Sequence, residues 1–419
     1  MEKIKSERCI VVLYMLFVFL SNFTTILYFL TFYLSQVGFS VATVSLGILV
    51  YQVCRLILEV PSGLISDRFG HRFVGLLGLS FMALYYILLL NEQNFVLLVA
   101  TFISKGIGVA CLSGSFEAIY IAHVNEKKLV QYNSIENAIF YVSYGITALL
   151  GGIFAQATLF NIGITVDLIA VVLSFGVGLA FPVNDALSVK PCGNNQAMQA
   201  EIAIATNKTS HDSFANRDIS FMGLLQHIKV NHILCCLLLM DFAQAVFFVG
   251  FEDFYSVVLK QNGLGANLAG ISLVVQLIVS ALIGLFVPHI VTFMSERKLL
   301  AGGYVGRLLC MSLFFMPFVA PIVLPIVYIF ESVFSCFCAP IKRMIFQRNL
   351  AEGYRAAVLS AQSQSVALGA ICFSGLNALL SSLIGLQGVL ILTLVLGFGV
   401  IYGGCIWYLE KQVPKDILN

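Results

Sequence analysis

Charged side chains are what this chain of 419 residues has least of: they make up 11% of it, against about 25% in soluble domains. That shortage excludes a water-soluble globular protein. Catalytic signatures are missing as well. The six histidines, His71, His123, His211, His227, His232 and His289, stand at helix ends or in a polar stretch. There is no His-Glu-x-x-His, no Gly-x-Ser-x-Gly and no phosphate-cradling Gly-x-x-x-x-Gly-Lys, so an enzyme is not expected. Eleven cysteines occur without a Cys-x-x-Cys pair, and Cys336-x-Cys338 is too close for a usual zinc site. They read as small buried hydrophobes, and neither a metal site nor a cofactor is expected. The basic residues are scattered, which gives no support to nucleic-acid binding. With no ATP site and no second soluble domain in view, work done by this chain would draw on an ion or solute gradient.

What the chain has instead is apolar length. Hydrophobic residues make up 59% and the mean hydropathy is +0.96. Runs of about 20 residues recur, each long enough to cross ~30 Å of hydrocarbon. Twelve spans are expected at 10–34, 41–65, 73–91, 95–122, 133–158, 162–182, 231–258, 266–292, 299–318, 322–346, 357–382 and 385–409. The first continues from Cys9 to about Leu34 without an Ala-x-Ala-like site, so it reads as a membrane helix and not a cleaved signal. The expected class is an all-α polytopic membrane protein of two six-helix bundles, 1–183 and 231–419. Between them 184–230 reads as a cytoplasmic linker, in which Ile219, Met222, Leu225 and Ile228 share a helical face suited to the membrane interface. Nineteen of the 23 lysines and arginines fall on one side of this plan and only Lys260 in a loop on the other. By the positive-inside rule both termini and the linker are cytoplasmic. Gly302-x-x-x-Gly306, Gly399-x-x-x-Gly403 and Ala148-x-x-x-Gly152 have the spacing of close helix contacts. Nothing in the sequence asks for a second copy, and a monomer in the cell membrane is expected.

One short stretch carries a concentrated pattern. In Gly63-Leu64-Ile65-Ser66-Asp67-Arg68-Phe69-Gly70-His71-Arg72 a carboxylate, two arginines and two glycines join two apolar runs. It resembles the loop between the second and third transmembrane helices of the major facilitator superfamily, which reads roughly Gly-x-Leu-Ala-Asp-Arg-x-Gly-Arg-Arg. Ser113-Gly114-Ser115-Phe116-Glu117-Ala118 and Arg355-Ala356-Ala357-Val358-Leu359-Ser360 look like a bacterial branch rich in drug exporters. The resemblance implies that Gly63, Asp67, Arg68, Gly70 and Arg72 form a cytoplasmic latch, with Glu117 as a partner for Arg72 and Arg355 capping the eleventh span. Here Gly63 permits tight packing and Gly70 the turn.

An ionisable group near the bilayer centre is costly unless it meets a partner or a watery cavity. Lys105, Asp241 and Glu331 each lie about 15 Å into their spans at 1.5 Å per residue, and Asn22 sits mid-span in the first. These are spans 1, 4, 7 and 10, which line the central cavity in the resembled family. They are therefore the expected site for substrate or protons, with a structural ion pair between the halves as the plainer alternative. Arg55 and Glu59, four apart on span 2, are expected to pair, while Arg307 is expected to be structural. Phe23, Tyr28, Phe247 and Phe248 would either line a tolerant pocket or face lipid. The function these features suggest is alternating-access transport, with proton-coupled export of a small amphipathic or cationic compound (efflux by antiport) preferred. Nutrient uptake by symport and a non-transporting receptor or sensor are the alternatives.

Overall fold

The computed structural model describes residues 2–91, 94–124, 126–182, 231–293, 296–348 and 355–412. The expected linker and its interfacial helix lie outside them. Among the described residues the fold is entirely helical, because a backbone in lipid must satisfy its own polar groups. The helices are α1 (Glu2–Ser21), α2 (Leu30–Val37), α3 (Val41–Phe69), α4 (His71–Leu89), α5 (Phe95–Leu112), α6 (Ser115–His123), α7 (Glu126–Gln156) and α8 (Phe160–Ala180). After 183–230 come α9 (His232–Gln261), α10 (Ala266–Phe293), α11 (Glu296–Phe314), α12 (Leu324–Arg348), α13 (Arg355–Thr393) and α14 (Gly403–Gln412), with a π-helical stretch at Leu394–Tyr402 between the last two.

Nine helical segments among the described residues are long and apolar enough to span a membrane. One of them, Ala361–Leu409, is two crossings joined at Gly385, where φ is 73°. Adding the interrupted first crossing and α11 makes twelve, six before the 183–230 stretch and six after it. An even number of crossings puts Glu2 and Gln412 at the same end of the bundle, the terminal side; the opposite end is the far side.

Two crossings that read as continuous in the sequence are broken. The first unwinds at Asn22–Ile26, between α1 and a 3-10 turn at Leu27–Phe29. The fourth breaks at Ser113-Gly114, between α5 and α6. Conversely, α3 runs on to Phe69, so the expected loop shrinks to one residue, Gly70, at φ 98°.

Contacts between the halves gather toward the far side. There α3 runs along α13 and α7 along α10. Asn377 donates to Ser45 Oγ at 2.7 Å, Ser256 to the Tyr28 carbonyl at 3.0 Å, and Thr31 to the Asp253 carbonyl at 2.5 Å. At the α7–α10 crossing a Cβ on Gly152 would meet the Gly270 Cα at 3.2 Å, so the small residues of Ala148-x-x-x-Gly152 let the two backbones touch. The other two spacings divide. Gly306 lies against Phe334 and Gly403 against Tyr304, whereas Gly302 has nothing near it.

Candidate functional site

The break in the first crossing shapes the central cavity. Unwinding frees backbone N–H groups, and a buried carboxylate takes two of them. Asp167 of α8 accepts from Thr25 N at 2.7 Å and from Ile26 N at 3.0 Å. Negative charge at the start of the resumed helix also suits the helix dipole. Gly151 permits α7 to press against the Thr25 carbonyl, where a Cβ would collide. Asn22 and Thr24 thereby enter a cavity wall, as irregular backbone in a membrane protein does where it borders a hollow.

That hollow has a volume of about 350 Å³. Its polar lining comes from Asn22, Thr24 and Thr31 of the first crossing, Gln52 of α3, Lys105 of α5 and Asp253 of α9. Rings of Tyr51, Tyr85, Tyr86 and Tyr144 supply much of the rest. The Lys105 ammonium lies over Tyr51 at 4.9 Å and Tyr85 at 5.3 Å, an arrangement in which ring faces attract a cation. Asp253 is within electrostatic range of Lys105, but no ion pair within 4.0 Å joins them among the described residues. The Gln52 Oε1 atom is buried without a hydrogen-bond donor. Glu252, the next residue to Asp253, is exposed and within charge range of Tyr28 and Tyr144 in one half and of Glu331 and Arg307 in the other.

Of the four expected cavity residues the structure brings two together, Lys105 and Asn22. Asn22 also turns its amide back to the Val18 carbonyl at 2.8 Å. Asp241 and Glu331 line neither this cavity nor the second cleft described below. Asp241 is buried, accepts from Lys342 of α12, and accepts from Gln362 of α13 at 2.9 Å. Glu331 is buried against Arg307 at 2.5 Å, with the guanidinium stacked between Phe248 at 4.1 Å and Phe398 at 5.1 Å. Both are ion pairs within the second half, so they do not tie the halves together either. The reason is supply of partners: Arg307 is buried instead of reaching the interface, and Lys342, counted in the sequence as a loop charge, sits inside α12. Phe247 and Phe248 belong to this aromatic core and face neither pocket nor lipid.

A second cleft of about 320 Å³ lies within the first half between α1, α6 and α7. Glu117 and Glu136 line it with Tyr14, whose hydroxyl donates to Glu136 at 2.9 Å.

The latch residues divide. Gly70 makes the turn, its N–H reaching the Ser66 carbonyl at 2.9 Å, and the Ser66 hydroxyl meets His71 Nδ1 at 2.7 Å. Gly63 is exposed on α3 with nothing within 4 Å of a Cβ position, so the expected tight packing is absent because helix α3 continues past it. Arg68 lies over its neighbour Phe69 at 5.5 Å. Arg72 donates to the Leu179 carbonyl near the end of α8 at 2.5 Å, a cation on helix-terminal carbonyls. None of the ion pairs among the described residues joins it to Glu117, which is exposed at the start of α6. The side chains of Asp67 and Arg355 lie outside the described set. The Arg55–Glu59 pair is likewise absent among the described residues; Arg55 instead lies within charge range of the Tyr51 hydroxyl, one turn nearer the cavity.

Sequence reasoning missed Asp253, Glu252, Asp167 and Lys342. For the first two the expected end of span 7 at 258 put them near the interface. The helix runs to Gln261, which sets Asp253 about 12 Å inside at 1.5 Å per residue. Asp167 was legible as a charge within span 6, and the cost of burying a charge was the signal that could have found it; Lys342, close to the expected end of span 10, was counted with the loop charges.

The profile of the Major Facilitator Superfamily matches residues 11–288. No curated protein matches the chain by sequence. Among solved structures, the nucleoside transporter NupG superposes with a TM-score of 0.72 at 11% identity, covering 97% of this chain and 99% of that one. A D-xylose-proton symporter does so with 0.71 at 14%, covering 97% and 98%. A POT family transporter in complex with 5-aminolevulinic acid gives 0.67 at 15%, covering 97% and 96%. At such identities these likenesses speak for the fold. With about two thirds of its length under the family profile, this chain is a member of the major facilitator superfamily, a multi-pass membrane transporter.

Proposed function

We propose that the chain is a proton-coupled secondary carrier that moves a small compound by alternating access, with Lys105 and Asp253 at the centre of its transport site. The observation that carries the reading is their position: a cation from one half and a carboxylate from the other face one cavity, each part-exposed to it and neither joined to a counter-ion among the described residues. A carboxylate so placed can take up and release a proton as the halves rock about it. The bonds between the halves near the far side support an inward-facing state if the termini are cytoplasmic. Asp241 and Glu331 then serve to hold the second half together, in place of the transport role expected of them. For Asp67, Arg68, Gly70 and Arg72 the latch reading stands as a proposal, closing the cytoplasmic side when the cavity faces out.

Export remains the preferred direction, from the likeness to drug exporters. The polar lining of Asn22, Thr24, Thr31 and Gln52 is a specific observation in favour of the second reading, uptake of a hydrogen-bonding nutrient by proton symport. Liposomes holding the purified protein and a trapped pH dye separate the two. Under export, protons and compound move oppositely; under symport they move together. In either case Asp253→Asn abolishes compound-driven proton flux and Asp241→Asn retains it in the surviving folded fraction. Undiminished flux in Asp253→Asn removes this residue from the mechanism. No exchange of labelled compound in the wild type would leave a receptor.

A further inference from the structure

The two charges in the cavity differ from the buried charges of the second half. Arg307 with Glu331 and Lys342 with Asp241 are in direct contact, as buried charges ordinarily must be. Among the described residues Lys105 meets the faces of Tyr51 and Tyr85 and no counter-ion within 4.0 Å. The Asp253 carboxylate has no ion pair or hydrogen bond among the described residues; only its main-chain oxygen is engaged, by Thr31. The two sense each other's charge across the hollow without closing to 4.0 Å. We propose that the cavity takes a small ring-bearing zwitterion, its carboxylate end toward Lys105 and its amine end toward Asp253, a refinement that rests on the carrier reading above.

Such a ligand completes both pairs at once. A lone cation would meet Lys105 and a lone anion would meet Asp253, so either carries a like-charge penalty that the zwitterion avoids. Gln52 Oε1, buried in the wall without a donor, offers a further acceptor for an ammonium. Tyr51, Tyr86 and Tyr144 present aromatic surface for a ring. The cavity's 350 Å³ is near the lower end of the roughly 300–1,000 Å³ of small-molecule sites, which limits the cargo to a compact molecule. Glu252 does not line the cavity and has Arg307 within its charge range, so the facing poles are Lys105 and Asp253. The cationic cargo expected from the sequence is thereby modified: the amine is kept and a carboxylate is added.

Three probes on one phenyl scaffold test this: phenylalanine, its methyl ester (amine only) and N-acetylphenylalanine (carboxylate only). Each is titrated into the full-length protein in lipid nanodiscs at neutral pH, with calorimetric detection. The expected result is that phenylalanine binds at least about tenfold tighter than either blocked form. Lys105→Gln lowers phenylalanine to the level of the methyl ester, and Asp253→Asn lowers it to the level of the N-acetyl form. Equal or tighter binding of a blocked form to the wild type overturns the proposal, as does binding of none of the three. If a variant fails to fold, the wild-type ranking decides alone. Compound-driven proton flux in liposomes, found together with equal binding of the blocked forms, refutes the zwitterion while the carrier reading stands.

Discussion

Single residues decide more here by what they are paired with than by where they fall along a span. Arg307 and Glu331 illustrate it. Removing one partner of a buried pair leaves a charge with nothing opposite it, which costs about 3–5 kcal/mol. Glu331→Gln is therefore expected to lower stability by that order in detergent unfolding, and Arg307→Met/Glu331→Met together to recover most of it. A Glu331→Gln protein of wild-type stability that has lost proton coupling would return this residue to the transport site. Asp167 is held by a different argument. Its two hydrogen bonds satisfy the N–H groups of Thr25 and Ile26 in the unwound segment, and each buried N–H left unmade costs about 1–3 kcal/mol. Asp167→Ala should destabilise by roughly 2–6 kcal/mol on that basis, with hydrogen exchange at Thr25 and Ile26 rising. Protection unchanged at those two amides would mean that other groups satisfy the break.

At the scale of elements, the broken first crossing and the α7–α10 contact decide which end of the cavity is shut. Gly152 and Gly270 let the two helices touch from opposite halves, and no side chain larger than hydrogen fits at Gly270 without the backbones moving apart. Gly270→Leu is expected to pry the far side open and favour the outward-facing state. In a background without native cysteines, a cysteine placed at Thr24 should then react several-fold faster with an impermeant maleimide added from the far side, in keeping with a population shift of about 1 kcal/mol. Unaltered labelling would show that this contact does not hold the gate. The first crossing also marks a limit of reading sequence by hydropathy. Residues 22–26 sit inside a run apolar enough overall to pass as one helix, and it is the distant Asp167 of α8 that takes the N–H groups of Thr25 and Ile26. Asn22, Thr24 and Thr25 mark the place as polar, but not that the helix breaks there.

For the whole molecule, the arrangement of six crossings on either side of 183–230 agrees with the expected two bundles, whose exact limits at 183 and 231 and whose linker stand as proposals. Orientation is a further one. The side rich in lysine and arginine is expected to be cytoplasmic, so a fluorescent protein fused at the C-terminus should glow and a secreted phosphatase fused there should stay inactive. The opposite pattern would invert every inward or outward assignment made above, while leaving the cavity where it is.

Composition and the spacing of apolar runs were enough to read a helical membrane protein of twelve crossings, because the bilayer imposes length and hydrogen-bonding rules that each segment must obey locally. The short motif from Gly63 to Arg72 was enough to suggest the family for the same reason: it is contiguous. Lys105 and Asn22 were legible since a polar group in mid-span stands out against its neighbours. What the sequence could not settle was partnership. Whether Asp241 met water or Lys342, whether Glu331 met a solute or Arg307, and whether Asp253 lay at an interface or opposite Lys105 all depend on helices far apart in the chain. A charge in lipid must find something, and only the packed bundle determined which of these carboxylates was given a permanent counter-ion and which was left facing open space.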